Sequence, residues 1–391
     1  MNSEIELMRN IANMEIEHIK QLTREPRNAI QSIPGVVTSG ISLDDKGHNI
    51  TIYIKDRNII DTIPQQINGI PTKTVVIKEF KLLPLSQSSS LSSLPADADV
   101  KIYRPIRPGI AISPTGSWIG TLGAIGYGPN NERIIISCNH IMFQPNPDDN
   151  IGWLGQAIYQ PYMYCFTNNK IGNLRSYVPI VQTAQVIDNL ADVAYATIDP
   201  NIQIEETDKY GNTIGSSADP VLNEDVGKCG AATGYTEGKI ISLDINIIMQ
   251  TQAGYRFVDN IIADVVGAQG DSGSVLTSKL DNSAIGVIFG AIVTEEGQWL
   301  TVACKARNVE NLLGIRFGPV PPPPVVDAKY SCTSGGCNLD IVNGQYNTIK
   351  DCLNICPTSE PPKHNFNKCD AIALVTFGVG LIGLYYISKN K

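Results

Sequence analysis

Charged residues are scarce in this chain: they make up 17% of its 391 residues, against about 25% in a typical soluble domain. Thirty lysines and arginines against 38 aspartates and glutamates give a formal net charge of −8. Binding to nucleic acid needs a local or overall excess of basic side chains, and no basic stripe runs through the sequence. The composition therefore argues against nucleic acid as a partner.

One long uncharged run stands out near the C-terminus, whereas the opening residues, MNSEIELMRN, lack the apolar stretch of a secretory signal. Residues 371–387, AIALVTFGVGLIGLYYI, contain no charge and are followed by Lys389 and Lys391. Seventeen residues are at the short limit for crossing a bilayer core of about 30 Å. We therefore expect no signal peptide and a single-pass C-terminal membrane anchor, with a helix buried in a core as the alternative.

Four of the nine cysteines lie within 25 positions, in the pattern C-x4-C-x14-C-x3-C. This segment has no apolar run long enough for a core of its own, so a covalent or metal link would have to hold it together. Two disulfides and one zinc site both fit the spacing, and the sequence leaves the choice open. The residues concerned are Cys332, Cys337, Cys352 and Cys356.

The first part of the chain predicts a helix followed by a small α+β module. Apolar residues at rough helical spacing predict a helix over residues 3–24, within an N-terminal segment 1–32, and we regard it as a candidate docking or oligomerisation element. In residues 33–83 we predict strands at Val36–Leu43, Asn49–Lys55 and Lys73–Phe80 and a helical stretch at Asn58–Ile67. A Ser-rich linker at 84–101 follows.

Short strands separated by glycine and proline turns fill residues 102–318. Strands at this spacing, without intervening helices, predict a β-barrel or sandwich, which a short helix at Val309–Leu313 closes. A Pro-rich spacer (319–327), the Cys-rich module (328–358) and the membrane helix (371–387) complete the predicted order. The clearest strand sequences are SWIGTLGAIGY, ERIIISC, ADVAYATI, GKIISLDINIIM, DNIIADVV, AIGVIFGAIV and WLTVACKA.

The sequence G-D-S-G-S at residues 270–274 is the strongest chemical signal. A nucleophilic serine needs a tight turn that exposes its Oγ and aims successive backbone N–H groups at one point, and flanking glycines permit that geometry. An ordinary surface turn is the alternative, because Gly, Asp and Ser all favour turns. Ser272 is therefore the candidate nucleophile.

Histidine is scarce as well, which narrows the choice of a general base. Of four histidines, only His140 lies in the β-rich region, directly after an apolar strand. A third group, a carboxylate, should orient the imidazole, and Asp192 fits because it opens the apolar strand DVAYA. Asp188 and Asp199 are competitors that flank turns, where solvation explains them better.

Three short sequences together resemble the signature regions of trypsin-like (chymotrypsin-fold) serine peptidases. They are I-S-C-N-H around His140, A-D-V-A around Asp192 and G-D-S-G-S around Ser272, and the resemblance covers residues 102–317. The passage V-G-K-C-G-A-A-T-G-Y-T-E-G-K-I at 226–240 resembles bacterial members, in which a small module can precede the peptidase domain. Asn139 and Ile141 replace the usual alanine and cysteine beside the histidine, as in bacterial and viral members.

The resemblance implies a mainly β fold with two six-stranded barrels and an active site in the cleft between them. Ser272 would be the nucleophile, His140 the general base and then acid, and Asp192 the orienting carboxylate. The backbone N–H groups of Gly270 and Ser272 would form the oxyanion hole. Val266, six residues before the serine, would lie at the base of the specificity pocket and imply an apolar preference. No cofactor is implied.

The sequence leaves functions from two classes open. The first is a serine endopeptidase tethered to a membrane, with a polypeptide substrate; a self-cleaving form would release its domain at the 320–330 spacer. The second is a catalytically silent peptidase-fold protein that binds or builds a membrane or virion surface. A virion membrane is included among the expected locations because the Cys-rich segment is similar to short modules of large DNA virus proteins.

Overall fold

The computed structural model describes residues 2–82, 99–114, 119–143, 154–162, 169–181, 188–249, 255–318, 330–333 and 336–339. Within these ranges the fold is mainly β, with a long N-terminal helix and a closed barrel. The α-helices are α1 (Asn2–Gln31), α2 (Asn139–Met142) and α3 (Ala306–Leu313), and a 3-10 helix spans Arg57–Thr62.

The strands are numbered in chain order. The first twelve are β1 (Val36–Asp44), β2 (Gly47–Ile54), β3 (Gln66–Ile67), β4 (Ile70–Leu82), β5 (Ala111–Ile112), β6 (Gly120–Thr121), β7 (Ala124–Tyr127), β8 (Arg133–Ser137), β9 (Ala157–Tyr159), β10 (Lys170–Tyr177), β11 (Asp188–Asn189) and β12 (Ala194–Thr197). The others are β13 (Asp225–Gly230), β14 (Gly234–Met249), β15 (Tyr255–Ala263), β16 (Val275–Ser278), β17 (Ala284–Thr294), β18 (Trp299–Lys305), β19 (Tyr330–Thr333) and β20 (Gly336–Leu339).

Strands β13 to β18 close into a six-stranded barrel. The antiparallel neighbours run in the order β13, β14, β15, β18, β17 and β16, and β16 pairs with β13 to complete the ring. Within the ring each strand is paired on both edges, and β14, β15 and β17 also pair with β1, β11 and β4 outside it. Every residue of β17 is buried, as expected of a strand that is covered on both faces.

The preceding half of the β-rich region forms a second ring of short strands. β7, β8, β12, β10 and β9 form a five-stranded sheet, and β5 pairs with β6. Gly123, between β6 and β7, donates its N–H to Ile136 of β8 at 2.9 Å, and Ser113, after β5, exchanges two backbone hydrogen bonds with Tyr159 of β9. The ring is therefore closed by a continuous series of strand contacts.

The N-terminal strands extend the sheet of the first barrel described above. β1 pairs with β14, β2 pairs with β1 and β4, and the last part of β4 pairs with β17. Ile41 and Ile50 of these strands share one buried core with Leu243 and Ile288 of the barrel. The N-terminal strands are thus joined to the barrel by backbone pairing and by a common apolar core.

Helix α1 is held against the barrel by two buried arginines. Arg9 donates to Glu224 at 2.6 Å and to the carbonyl of Asp219 at 2.8 Å, and Arg27 lies 2.5 Å from Asp244. Both guanidinium groups are almost fully buried, at 7% and 3% side-chain exposure. Because a buried charge is costly unless it is paired, these contacts fix the position of the helix.

Pro26 lies inside α1 and removes the hydrogen bond that the carbonyl of Leu22 would otherwise accept within the helix. That carbonyl accepts a hydrogen bond from the side-chain amide of Asn68 at 2.6 Å instead. Asn68 lies between β3 and β4 with φ of 48°, a left-handed conformation that asparagine tolerates. The proline therefore adds a contact between α1 and the N-terminal strands.

Most local predictions agree with the observed elements. Each of the seven strand sequences quoted above overlaps an observed strand, and helix α3 includes the predicted Val309–Leu313. The predicted helical stretch Asn58–Ile67 was wrong in type, since the chain forms a 3-10 helix over Arg57–Thr62 and then enters β3. Helix α1 is longer than predicted, because its second half buries Arg27 and Ile30 against the strands.

Several predictions fall wholly or partly outside the described residues. They include the Ser-rich linker (84–101) up to residue 98, the Pro-rich spacer, Cys352, Cys356 and residues 371–387. In the described ranges no helix is both long and apolar enough to cross a membrane. The backbone positions of Cys332 and Cys337 face each other in the β19–β20 hairpin. The domain boundaries, the anchor and the link between cysteines stay predictions.

Candidate active site

His140 and Asp192 are brought together by the pairing of two neighbouring strands. β8 ends at Ser137, which lies opposite Ala194 at the start of β12. His140 lies three residues after Ser137, on the single turn of α2. Asp192 lies two residues before Ala194, at the same end of the sheet. The register of β8 and β12 therefore places the two side chains side by side.

The carboxylate of Asp192 contacts His140 at two points. Its Oδ1 accepts the backbone N–H of His140 at 3.0 Å, and its Oδ2 forms a short contact with the ring Nδ1. Asp192 is fully buried, while the His140 side chain is 11% exposed. A carboxylate at Nδ1 favours the tautomer whose Nδ1 carries the proton, which leaves Nε2 as the basic nitrogen.

The two competing aspartates lie in other surroundings. Asp188 is half exposed and pairs with Arg256 at 3.0 Å, and Asp199 pairs with Lys170 at 2.9 Å. Neither contact involves a histidine. Of the three aspartates considered, only Asp192 contacts the imidazole.

Ser272 lies in a tight turn between β15 and β16. Gly270 and Gly273 have φ of +105° and +93°, a left-handed region that favours glycine. A Cβ on Gly273 would lie 2.1 Å from Ser137 Oγ, so a larger residue would also collide with its neighbours. Both glycines are therefore required by the backbone path of the turn.

Asp271 anchors this turn with five hydrogen bonds. Its Oδ2 accepts the N–H of Ala268 at 3.0 Å, the Thr233 hydroxyl at 2.7 Å and the ammonium group of Lys228 at 2.9 Å. Its Oδ1 accepts the N–H groups of Ala232 and Thr233 at 3.0 and 3.2 Å. Asp271 and Lys228 are both fully buried, so the ion pair is shielded from solvent.

Lys228 is the positioning residue that the sequence analysis missed. It lies within V-G-K-C-G, a passage singled out for its glycines, and its side chain is fully buried. Lysine is rarely buried completely unless it is paired. Its partner Asp271 lies 43 residues later, so the sequence around Lys228 carries no signal of the pair.

Thr121 links the serine turn to the histidine half of the molecule. It donates its N–H to the carbonyl of Ser272 and its hydroxyl to the carbonyl of Gly270, both at 2.8 Å. Its own carbonyl accepts the hydroxyl of Ser137 at 2.7 Å, three residues before His140. The three predicted catalytic residues thus lie around the junction of the two β-strand rings.

The hydroxyl of Ser272 and the backbone N–H groups of Ser272 and Gly270 have no hydrogen-bond partner in the described part of the chain. Ser272 is fully buried, and its Oγ makes no hydrogen bond with any described residue. Within the described ranges, no backbone carbonyl accepts the N–H of Gly270 or Ser272. An unsatisfied buried hydroxyl costs about 1–3 kcal/mol, so its presence needs an explanation such as a catalytic role.

Val266, the position predicted for the specificity pocket, is 56% exposed and follows β15. Its carbonyl accepts the Thr236 hydroxyl at 2.8 Å, which ties this segment to β14. Exposure leaves the side chain accessible to a ligand. The role of Val266 in substrate selection stays a prediction.

Cys138, His140 and Asp192 present potential metal ligands within 4.8 Å of one another. Zinc binds the thiolate form of cysteine. Burial, followed by the nearby Asp192 charge, raises the pKa of the Cys138 thiol well above its ordinary value. The thiol instead donates to the carbonyl of Ile288 at 3.1 Å, so the chemistry of this group favours a protonated thiol over a metal ligand.

Comparison with solved structures returns serine proteases. Nocardiopsis protease is 17% identical, with a TM-score of 0.41, over 55% of this chain and 98% of that protein. Cellulomonas bogoriensis chymotrypsin is 17% identical, with a TM-score of 0.40, over 56% and 100%. A glutamic acid-specific serine protease is 14% identical, with a TM-score of 0.39, over 54% and 100%. No family model and no curated protein match the sequence.

Proposed function

We propose that this protein is a serine endopeptidase that hydrolyses peptide bonds through Ser272, His140 and Asp192. The observation that carries the proposal is the double contact between Asp192 and His140, next to a glycine-flanked turn whose serine hydroxyl is unused. We extend the proposal to a C-terminal membrane tether at residues 371–387, on the sequence evidence given above.

In the proposed reaction, Ser272 Oγ attacks the carbonyl carbon of the scissile bond while His140 Nε2 takes the hydroxyl proton. The oxyanion accepts hydrogen bonds from the N–H groups of Gly270 and Ser272, each worth about 3–4 kcal/mol in the transition state. His140 then returns the proton to the leaving amine, and an acyl-enzyme remains. Water, deprotonated by the same imidazole, releases the acid and restores the serine.

A silent peptidase-fold binding protein is the second candidate, and the complete burial of Ser272 is the observation that favours it. A hydroxyl that no substrate reaches cannot act as a nucleophile. The two candidates differ in the reactivity of the serine in the folded chain.

The test is labelling of the full-length chain with a fluorophosphonate probe, which reacts only with an activated serine. We expect labelling of wild type and of Ser32→Ala, an exposed control that directly follows α1, and none of Ser272→Ala. Unfolding curves of all three proteins establish that each is folded. Absence of labelling in the folded wild type would support the silent protein instead.

A further inference from the structure

The two edges of β17 have different partners. Along one edge it pairs with β18 from Gly286 to Val293, the one partner on that side among the described strands. Along the other edge three segments follow one another: β16 at residues 284–287, the serine turn at Ile288, and β4 at residues 290–294. At Ile288 the carbonyl accepts the N–H of Gly273 at 2.8 Å, and the N–H donates to Ser274 at 2.9 Å. The serine turn and β4 therefore lie on the same edge of one strand.

β4 runs toward the serine turn. It is antiparallel to β17, with Ile77 opposite Thr294, Phe80 opposite Ile292 and Leu82 opposite Gly290. Because Gly290 is two residues from Ile288, the end of β4 lies next to the residue that holds the serine turn. The last described part of β4 thus approaches the candidate nucleophile with its carboxyl end first.

This is the direction in which the acyl side of a peptide substrate must enter. The attacked carbonyl lies at the carboxyl end of the acyl segment. A substrate strand on this edge would therefore run with its carboxyl end toward the nucleophile. An extended peptide that adds a strand to a sheet edge gains backbone hydrogen bonds regardless of its sequence. The edge of β17 between Gly290 and Thr294 meets both conditions.

We infer that β4 is an intramolecular inhibitor, because it occupies the edge of β17 along which the acyl side of a peptide substrate would have to lie. The inference rests on the proposed function for its catalytic consequence, but occupancy of the edge can be tested without catalysis. It assigns the N-terminal strands a second role beside stability, namely to block the substrate strand until they are displaced.

The terminal part of β4 is suited to displacement. Residues 72–76 pair with β2, whereas residues 79–82 have β17 as their only strand partner in the described part of the chain. The far end of β4 is held by Glu295, which donates its N–H to the carbonyl of Val76 at 3.1 Å and whose side chain pairs with Arg57 of the 3-10 helix at 2.5 Å. The end nearest the serine turn can therefore separate while the pairing of β2 and β4 remains.

The first experiment measures peptide binding in a Ser272→Ala background, which prevents cleavage. A fluorescein-labelled peptide with the sequence of residues 74–82 is the probe, and anisotropy is the readout. The release variant carries Glu79→Pro and Phe80→Pro. Neighbouring residues of a strand point their N–H groups to opposite edges, and proline has no N–H. Two consecutive prolines must therefore remove one backbone hydrogen bond to β17. The matched control is Glu79→Ala with Phe80→Ala, which keeps both N–H groups.

We expect the release variant to bind the peptide at least about tenfold more tightly than the alanine control, a difference of about 1.4 kcal/mol. Equal affinity of the two proteins would overturn the inference. If the release variant does not show a cooperative unfolding transition, Lys81→Pro with Leu82→Pro replaces it, since these residues lie at the end of the strand. Its control is Lys81→Ala with Leu82→Ala, and the same two outcomes apply.

The second experiment repeats the comparison with Ser272 intact and follows hydrolysis of extended peptides together with fluorophosphonate labelling. We expect about tenfold faster peptide hydrolysis by the release variant than by its control. Peptide binding without labelling of any protein would preserve the assignment of the edge and reject the proposed protease activity. Labelling of every protein without a gain in peptide binding would support an activated serine and reject the inhibitory role of β4.

Discussion

The carboxylate of Asp192 holds both the backbone N–H and the ring Nδ1 of His140, although 52 residues separate them in the chain. One buried group thus fixes the start of α2 and the orientation of the imidazole at the same time. Because the contact depends on the register of β8 and β12, the core of this half of the molecule supports the site directly.

We expect Asp192→Asn to lower kcat by about 10³–10⁴ because the amide can donate to Nδ1 and thereby favour the wrong tautomer of His140. Asp188→Asn is the control, since Asp188 contacts Arg256 and not the histidine. Steady-state hydrolysis of a peptide substrate measures both. A similar loss in the two variants would show that Asp192 has no special role.

We expect Lys228→Met to leave the Asp271 carboxylate buried without its cation and to lower the free energy of unfolding by about 3–5 kcal/mol. Loss of the correct turn should also slow fluorophosphonate labelling at least about 100-fold, the size of effect seen when one oxyanion donor is lost. Lys239→Met, in an exposed pair with Asp225, is the control.

Labelling of the Lys228 variants is measured at a temperature where unfolding curves show that each is folded. Lys228→Arg keeps the charge and should recover part of the labelling rate. A folded Lys228→Met variant that labels at the wild-type rate would remove Lys228 from the role of positioning residue.

We expect Arg27→Ala to lower the free energy of unfolding by about 3–5 kcal/mol, because it removes the close partner of the buried Asp244 and leaves that carboxylate only Lys20 at 3.5 Å. Arg24→Ala lies one turn earlier on the exposed face of α1 and should change stability by less than about 0.5 kcal/mol. Urea unfolding measures both. Equal effects would mean that the Arg27–Asp244 pair does not hold the helix.

Three described cysteines should resist alkylation in the native protein. Burial raises the pKa of Cys229 and of Cys304 to about 12, and burial with the nearby Asp192 charge raises that of Cys138. At pH 8 only about one thiol in ten thousand would be ionised at a pKa of 12, and the thiolate is the reactive form. We expect iodoacetamide to modify these positions only after denaturation, as read by mass spectrometry of the corresponding peptides.

Rapid modification of Cys304 in the folded protein would contradict its burial. Alkylation of Cys332 and Cys337 in the same experiment tests the predicted Cys-rich module. Disulfides and zinc would both protect these thiols, but they differ in the reagent that removes the protection. Reductant exposes thiols that are held in disulfides, and a chelator exposes thiols that bind zinc.

We expect residues 371–387 to retain the full-length chain in membranes after carbonate extraction. Nine Leu, Ile, Val and Phe residues in this run each favour insertion by roughly 0.3–0.6 kcal/mol when central. Val379→Arg adds a cost of about 2.5–3.5 kcal/mol and should release a span this short. A wild-type chain that is extracted as readily as the arginine variant would reject the anchor.

The local elements of this fold were largely readable from the sequence. Residues 36–43 and 49–55, on the two sides of an Asp-Asp-Lys-Gly turn, were predicted as strands and match β1 and β2 almost to their ends. In the second of them the alternation I-T-I-Y-I shows the two-residue period of a strand in a short window. The serine turn was readable for a similar reason: its two glycines are required by local backbone geometry. The residues proposed for catalysis were likewise chosen by type and order, since few histidines were available.

Other features depended on partners far away in the chain. Packing between distant segments decided three features: the type of the helical stretch at Asn58–Ile67, the second half of α1, and the pairing of Lys228 with Asp271. Nothing near Lys228 in the sequence indicates a carboxylate 43 residues later. Burial and charge pairing are properties of the assembled core, so local composition does not reveal them.

The sequence by itself determined that this chain forms a long helix, many short strands and a glycine-flanked serine turn. Only the tertiary structure decided that residues 79–82 of β4 lie on the same edge of β17 as that turn. A strand's own sequence specifies which side chains face the core, but its backbone groups can pair with any available edge. The choice of β17 as the partner was made by the docking of α1, β1 and β2 onto the barrel.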